Sequence, residues 1–427
     1  MCGFIGYIRH KRNYERENFV INLKKMSNQI THRGPDSSGL WISEDEVVGI
    51  SHRRLSILDL SNKANQPMIS ENERFVIAYN GEIYNHNRLR DKLKEDGFLI
   101  GWKSSSDTET LLNCINCWGL KKTLKQIKGM FAFCLWDKKK NLLTLVRDRI
   151  GEKPLYYGWT GNKGRSDFLF GSDLQAFKPH PEFKPVIDEE ALSLYLRFSN
   201  VPAPLCIYKN FFKLIPGTYL EFSLKKNEIR LEKYWDLEEQ LSDTSNNKFE
   251  VNDFNQASDL IERQLTDSVL AQTISDVPIG TFLSGGIDSS LITALLQSNS
   301  SKPINTFSIG FKNEAFNEAK NAKAISNFLG TNHHEEYIDP LDCIEIIPKL
   351  SKVYSEPFAD ASQIPTIFLC ELAKQNISVS LSGDGGDELF CGYNRHSFGI
   401  KIWKTAKFFP DFLKKYISLG LSKIPPH

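Results

Sequence analysis

Residues 277–297 read VPIGTFLSGGIDSSLITALLQ, and they decide the fold of the second half of the chain. IGTFL is a short β-favouring apolar run, SGGIDSS is a glycine-rich polar loop, and LITALLQ is helix-forming. A strand that feeds glycines into a helix start points unpaired backbone N–H groups and the positive end of the helix dipole at one place. That is a design for holding an anion. The Gly-Lys-Ser/Thr of a Walker loop is missing, so another nucleotide chemistry is implied. Ser284, Gly285, Gly286, Ser289 and Ser290 offer backbone and hydroxyl donors, and Asp288 offers a hard oxygen suited to Mg²⁺. The plainer alternative is a turn that merely starts a helix. The coincidence of a glycine pair, a carboxylate and two hydroxyls weighs against it.

Working outward, an amphipathic helix is expected near 255–275, strands at 304–310 and near 333–338, a helix at 317–329, helices to about 374, and a strand in ISVSLSG (377–383). Strands separated by helices of this length predict parallel pairing with right-handed crossovers. The result is an α/β doubly wound parallel sheet whose ligand sits at the carboxyl ends of its strands. A second loop, SGDGGDELF (382–390), repeats the recipe. Gly383, Gly385 and Gly386 permit close backbone approach, while Asp384, Asp387 and Glu388 crowd carboxylates together, which asks for a divalent ion or a cationic partner.

The first half has a different texture. FIGYI, GLWIS, VVGISHRRLSILD, RFVIAYNGEIYN, MFAFCLWD, NLLTLVRD, PLYYGWT and DFLFGSD are short aromatic and β-branched runs bounded by turn residues. Helical patterns interrupt them at about 17–30, 87–96 and 107–119. This predicts an α+β architecture of stacked antiparallel sheets with helices outside. The polar stretch LSDTSNNKFEVNDFNQ has a linker's composition. The expected division is a first domain at 2–220, a linker at 221–252 and a second domain at 253–427.

Cys2 stands directly behind Met1, so removal of one residue would put a thiol and a free α-amine on the same terminal residue. The thiolate is the reactive form of cysteine, and an α-amine titrates near ~8, close enough to neutrality to take the thiol proton directly or through water. A small residue on a first strand is the competing reading for a cysteine at this position.

The 427 residues, 41% hydrophobic and 25% charged, are ordinary globular material for two or three domains. With 53 basic and 52 acidic side chains the net charge is +1, which gives no argument for nucleic acid or an anionic membrane as partner. No apolar run approaches the roughly 20 residues that span a bilayer, and no charged leader precedes an apolar segment at the amino terminus. A cytoplasmic location is expected. The eight cysteines lack the close regular spacing of a disulfide scaffold. Cys114 and Cys117 lie within TETLLNCINCWGL, where i and i+3 share a helix face, so core packing is expected there rather than a metal. His333 and His334, adjacent on a strand, point to opposite faces and make a poor chelate.

Several of these runs carry a family resemblance. MCGFIGYI, HRGPDSSG, HRRLSILD, NGEIYNH, SDTE and GMFAFCLWD resemble the class II glutamine amidotransferase domain, an amino-terminal-nucleophile (Ntn) hydrolase fold. VPIGTFLSGGIDSS, FSIGF and LSGDGGDELFCGY resemble the ATP-pyrophosphatase domain that follows it in glutamine-dependent asparagine synthetases. The match runs in order along nearly the whole chain, and the pairing is more specific than either motif alone.

The resemblance implies that Cys2 attacks the carboxamide of glutamine, with Asn80 and Gly81 as the oxyanion hole. Arg54 would grip the substrate α-carboxylate, and Glu82 and Asp107 the α-ammonium. In the second domain it implies ATP-dependent activation of aspartate as β-aspartyl-AMP. Leu283, Ile309, Ser382 and Gly383 join the SGGIDSS loop at the nucleotide, Asp288 and Asp387 hold Mg²⁺, and Asp384 matches an acidic residue linked to the intermediate. Enclosed passage of ammonia is implied too, and MFAFCLW or the helix near 190–198 would line it unless they are simply core. A homodimer is suggested by analogy alone. The pattern departs from the family in two places. Cys391 replaces a more familiar glycine, and beyond GY the family continues through a helical region with a lysine implicated in adenylation. Lys401, Lys404, Lys407, Lys414, Lys415 and Lys423 read as a solvated helix face, with none assigned that role. Two alternatives follow: a paralogue amidating another carboxylate, or a glutamine- or nucleotide-binding protein that does not complete transfer.

Overall fold

A computed structural model describes residues 2–10, 15–245, 253–312 and 317–421; Met1, Lys423 and part of the expected linker, 246–252, lie outside them. Its chain divides into two units, one formed by residues 1–277 with 346–360, the other by 278–345 with 361–427.

In the first unit the strands are β1 (Gly3–Ile8), β2 (Ser37–Ile42), β3 (Val48–Arg54), β4 (Met68–Ile69), β5 (Phe75–Ile83), β6 (Gly129–Asp137), β7 (Leu142–Arg147), β8 (Tyr156–Trp159), β9 (Phe168–Gly171), β10 (Phe211–Lys213), β11 (Thr218–Ser223) and β12 (Glu228–Lys233). They make two six-stranded sheets, ordered β10-β8-β9-β1-β3-β2 and β12-β11-β7-β6-β5-β4, with antiparallel pairing. Every residue of β1 is buried, because both faces of its sheet are covered. Successive side chains point to opposite faces, so Phe4 and Ile8 enter one cluster with Val76, Ala78, Cys134 and Leu145 of the other sheet, while Ile5 and Tyr7 pack with Phe19, Leu23 and Met26 of the helix Arg16–Asn28. The second sheet behaves alike. Ala132, Cys134 and Trp136 face the inter-sheet core, and Phe131, Phe133 and Leu135 face the helices His86–Glu95 and Asp107–Trp118. The result is a four-layer helix–sheet–sheet–helix stack, and of MFAFCLW residues 131–136 are core while Met130 is half-buried. Cys114 is packed in that outer core with Cys117 against it, and both thiols are free.

Three features differ from the expected division. The second unit begins at 278 and not at 253, so the helix Phe254–Ala271 belongs to the first unit. The stretch from 221 onward is not linker at first, since β11 and β12 extend the second sheet to Lys233 and a helix follows at Leu237–Ser245. An edge strand such as EIRLEK, exposed on one side, has a linker's polarity. Residues 346–360 return to the first unit: Glu356 accepts from the N–H of Ile207 at 2.7 Å and pairs with Lys213 at 2.5 Å.

In the second unit β13 (Ile279–Phe282), β14 (Asn305–Phe311), β15 (Asn332–Ile338) and β16 (Val379–Leu381) form a parallel sheet ordered β15-β14-β13-β16. Helices Ile287–Ser298, Ala319–Leu329 and Gln363–Lys374 connect or flank the strands as expected. From β13 the chain first builds outward through β14 and β15, then crosses to β16 on the other side. In sheets of this kind that reversal is the place where a ligand crevice is found, here beyond the carboxyl ends of β13 and β16. The unit's buried cluster is small, with Phe307, Ala373 and Ile377 backed by Phe282, Leu369 and Leu372. Among the described residues no helix is long and apolar enough to cross a membrane.

Candidate active site

Cys2 precedes β1, and its sulfur rests on the strand end of β3: the N–H of Leu55 donates to Sγ at 3.3 Å and the thiol donates to the Leu55 carbonyl at 3.4 Å. Burial pushes the thiol pKa up, and the Leu55 N–H bond opposes that rise. A cavity of about 540 Å³, its open mouth included, surrounds the sulfur and is lined by Arg54, Leu55, Asn80, Gly81, Glu82, Asp107 and Lys153 among others. The six positions singled out for glutamine chemistry therefore meet in one place, brought by β1, β3, β5 and the start of the helix Asp107–Trp118.

The consecutive residues Asn80, Gly81 and Glu82 end β5. Gly81 is needed for close approach, since a Cβ there would lie 2.2 Å from the Met130 carbonyl of β6. Asn80 is 1% exposed, and its amide nitrogen has no hydrogen-bond partner. The Oε1 of Glu82 is likewise buried and unpartnered. Burial, then the neighbouring Asp107 charge, push the Glu82 carboxyl up to about 7. An orphaned donor and an orphaned acceptor in one cavity are what a polar ligand would satisfy.

Asp107 and Arg54 serve the walls. Asp107 Oδ2 accepts from the Tyr79 hydroxyl at 2.7 Å and the Ile83 N–H at 2.8 Å, while burial raises its pKa. The terminal nitrogens of Arg54 donate to the carbonyls of Ser61 at 2.9 Å, Leu58 at 3.2 Å and Asp59, and to Asn65 Oδ1 at 3.2 Å. Its fork, expected to meet a carboxylate, is here bonded to the loop 58–65. The loop's need for a donor could not be read from the sequence. Tyr79 and Lys153 also line the cavity and were not singled out. The one signal for Lys153 was the turn chemistry of RDRIGEKP just after a strand.

In the second unit Leu283 and Ser284 follow β13, and Ser382 and Gly383 follow β16, so the two glycine loops stand beside one another at the crevice. The Leu283 N–H donates to the Phe307 carbonyl at 2.9 Å, and Ile309 lies two residues further along β14. The serine hydroxyls are spent locally. Those of Ser284 and Ser289 bond each other at 2.9 Å, and that of Ser290 donates to the Gly286 carbonyl at 2.6 Å. They shape the loop that leads into the helix Ile287–Ser298. A Cβ on Gly386 would sit 2.4 Å from Asp288 Oδ2, and one on Gly383 2.7 Å from the Ser289 nitrogen. Only glycine lets the Asp288 carboxylate lie against the second loop.

Asp384 accepts from the Ser382 hydroxyl at 3.0 Å on the exposed loop surface, and Glu388 is taken by the Tyr393 hydroxyl at 2.7 Å. Among the described residues no three His, Cys, Asp or Glu side chains gather as a metal-binding group. Asp288 in its glycine cradle offers the kind of hard oxygen that Mg²⁺ takes, while the Asp387 carboxylate lies against Gly392, where a Cβ would sit 1.8 Å from its Oδ1.

Comparison with known proteins divides the chain in the same order. A glutamine amidotransferase domain model matches residues 1–235, and an asparagine synthase model matches residues 260–423. A putative glutamine-hydrolyzing asparagine synthetase 2 of Methanocaldococcus jannaschii is 37% identical, over 100% of this chain and 81% of its own length. The glutamine-hydrolyzing asparagine synthetase 1 of Bacillus subtilis is 34% identical over 98% of this chain, which spans 62% of that protein's length. Among solved structures, the glutamine phosphoribosylpyrophosphate amidotransferase from B. subtilis, complexed with ADP and GMP, is 13% identical and covers 89% of this chain and 90% of its own. Its TM-score of 0.40 is too low to build on. Two domain models matched in order and a 37% identical relative covering the whole chain establish that this chain belongs to the glutamine-hydrolysing asparagine synthetase family.

Proposed function

We propose that the chain makes asparagine from aspartate, with glutamine as nitrogen donor and ATP as activator. The observation that carries the first half of this reading is the pairing of two buried unpartnered atoms, Asn80 Nδ2 and Glu82 Oε1, in one cavity with the Cys2 thiol. Loss of Met1 places the base on Cys2 itself. Its α-amine takes the thiol proton as sulfur bonds to the carboxamide carbon of glutamine, and negative charge gathers on the carboxamide oxygen. Asn80 and Gly81 donate to that oxygen, a preorganised stabilisation that is strongest when the charge is fully developed. The C–N bond then breaks, the α-ammonium returns its proton to the leaving nitrogen as ammonia, and water hydrolyses the thioester to glutamate. Glu82 and Asp107 hold the substrate α-ammonium. Arg54 meets its α-carboxylate after releasing part of the 58–65 loop.

At the second unit, backbone N–H groups after Gly285 and Gly286 hold the phosphates of ATP, with Leu283, Ile309, Ser382 and Gly383 against the nucleotide. The aspartate side-chain carboxylate bonds to the α-phosphorus and pyrophosphate leaves; ammonia then displaces AMP from β-aspartyl-AMP to give asparagine. Asp288 and Asp387 would hold Mg²⁺, which neutralises charge on the departing pyrophosphate. Asp384 accepts a proton from the attacking nitrogen.

The test is to assay purified protein for glutamine hydrolysis and for pyrophosphate release with aspartate and with other carboxylic acids. Cys2→Ala is expected to remove hydrolysis by on the order of 10³-fold or more, and to leave aspartate-dependent pyrophosphate release in place. Hydrolysis surviving Cys2→Ala overturns the first half. Pyrophosphate release with another acid and none with aspartate overturns the choice of acceptor.

A further inference from the structure

The loop between β7 and β8 is built to hold one side chain. Asp148, 1% exposed, accepts from the N–H groups of Phe131 at 3.2 Å, Gly151 at 2.6 Å, Glu152 at 2.9 Å and Lys153 at 2.9 Å. From the preceding residue, the Arg147 guanidinium donates to the carbonyls of Lys153 at 2.9 Å, Leu214 at 2.8 Å and Gly151 at 2.8 Å. The backbone of Lys153 is thus fastened at both its N–H and its carbonyl, and its side chain, on a residue only 5% exposed, lines the Cys2 cavity. A buried ammonium needs compensating charge. Burial lowers its pKa, and Glu152, Glu82, Asp148 and Cys2, in that order, favour the charged form. Of these, Glu82 also carries an unpartnered buried oxygen in the same cavity.

We propose that Lys153 is a positioning residue for the substrate, the buried counter-cation that keeps Glu82 a carboxylate able to receive the α-ammonium of glutamine. This rests on the cavity being the glutamine site and adds to it a residue outside the six positions already named there. Burial first and Asp107 second raise the Glu82 carboxyl to about 7, and Lys153 is the leading influence that pulls it back. The other charged or titratable groups facing the pair are the amino-terminal amine, which also favours the Glu82 carboxylate, Arg54 at the end of β3, Asp107 from the helix Asp107–Trp118, Tyr79 and Tyr84 from β5 and its end, Cys2, and Glu152 and Asp148 from the loop itself. A carboxylate with a raised pKa is lost to protonation as pH falls through that value, and removing the cation moves the loss to higher pH.

The experiment measures KM and kcat for glutamine hydrolysis by the full chain between about pH 6 and 9 in wild type, Lys153→Met, Lys153→Arg and a Glu82→Gln background. A shift of about one pH unit in Glu82 predicts a KM for Lys153→Met raised roughly fivefold at pH 7, converging with wild type above about pH 9. Its kcat stays within about twofold. Lys153→Arg keeps the wild-type profile, and in Glu82→Gln the Lys153→Met exchange brings no pH-dependent change. A KM increase equal at every pH, or none, overturns the inference while Cys2-dependent hydrolysis leaves the proposed function standing. Hydrolysis independent of Cys2 overturns the function first. Should Lys153→Met not fold by circular dichroism, Lys153→Gln takes its place with the same two readings.

Discussion

The cavity at Cys2 and the crevice at Asp288 treat polar groups in opposite ways. Around Cys2 the candidate residues are withdrawn from water, with Asn80 at 1%, Asp107 at 5% and Arg54 at 5% exposure; Asp107 is oriented by bonds from Tyr79 and Ile83, and Arg54 by the bonds it donates to the 58–65 loop. Around Asp288 a glycine loop leads into a helix start, Ser284, Ser382 and Asp384 are exposed, and a small buried cluster of the same unit holds Phe307, Ala373 and Ile377. A small zwitterion has few atoms to grip, so its site must supply buried partners already in place. Phosphates bring their own charge, and an open glycine loop can close on them without a prior desolvation cost.

The largest test of that contrast is Asn80→Ala. If the buried amide is a preformed oxyanion donor, kcat for glutamine hydrolysis falls by about 10²–10³ with KM little changed, while pyrophosphate release with aspartate is unaltered. A fall in KM-dependent terms alone would make Asn80 a binding group and break the comparison. Next comes stability. Leu145→Ala, at a fully buried inter-sheet position, is expected to cost about 2–5 kcal/mol in denaturant unfolding. Trp403→Ser in the second unit, 74% exposed, should change unfolding by less than about 0.5 kcal/mol. Equal effects would mean the second unit holds more packing around Trp403 than its exposure implies. The smallest effect is on rate. Gly386→Ala puts a methyl 2.4 Å from the Asp288 carboxylate, so aspartate-dependent pyrophosphate release should drop by about tenfold with hydrolysis at Cys2 intact.

Much of this was legible in the chain. The alternation of strand and helix after 277 announced the parallel sheet, and the observed elements fall within a few residues of the expected ones. The short aromatic runs of the first half announced antiparallel sheets, although the edge strand EIRLEK was read as linker because an edge strand shares a linker's polarity. The grouping of Cys2, Arg54, Asn80, Gly81, Glu82 and Asp107 came from family motifs rather than from any local periodicity. Arg54 shows what such motifs leave unsaid. Its motif position marked it as a substrate ligand, yet in the folded chain its nitrogens are bonded to the Ser61, Leu58 and Asp59 carbonyls and to the Asn65 side chain.

By itself the sequence determined the strand and helix periods, the two glycine loops and the terminal thiol, because these are features of neighbouring residues. Only the tertiary structure decided that the Leu55 backbone cradles the sulfur from 53 residues away, that Asp148 and Arg147 fasten Lys153 beside Glu82, and that residues 346–360 return to the first unit. Backbone pattern is written by local sterics and hydrophobic spacing, whereas the partner of a buried charge is chosen by whichever distant segment is packed against it.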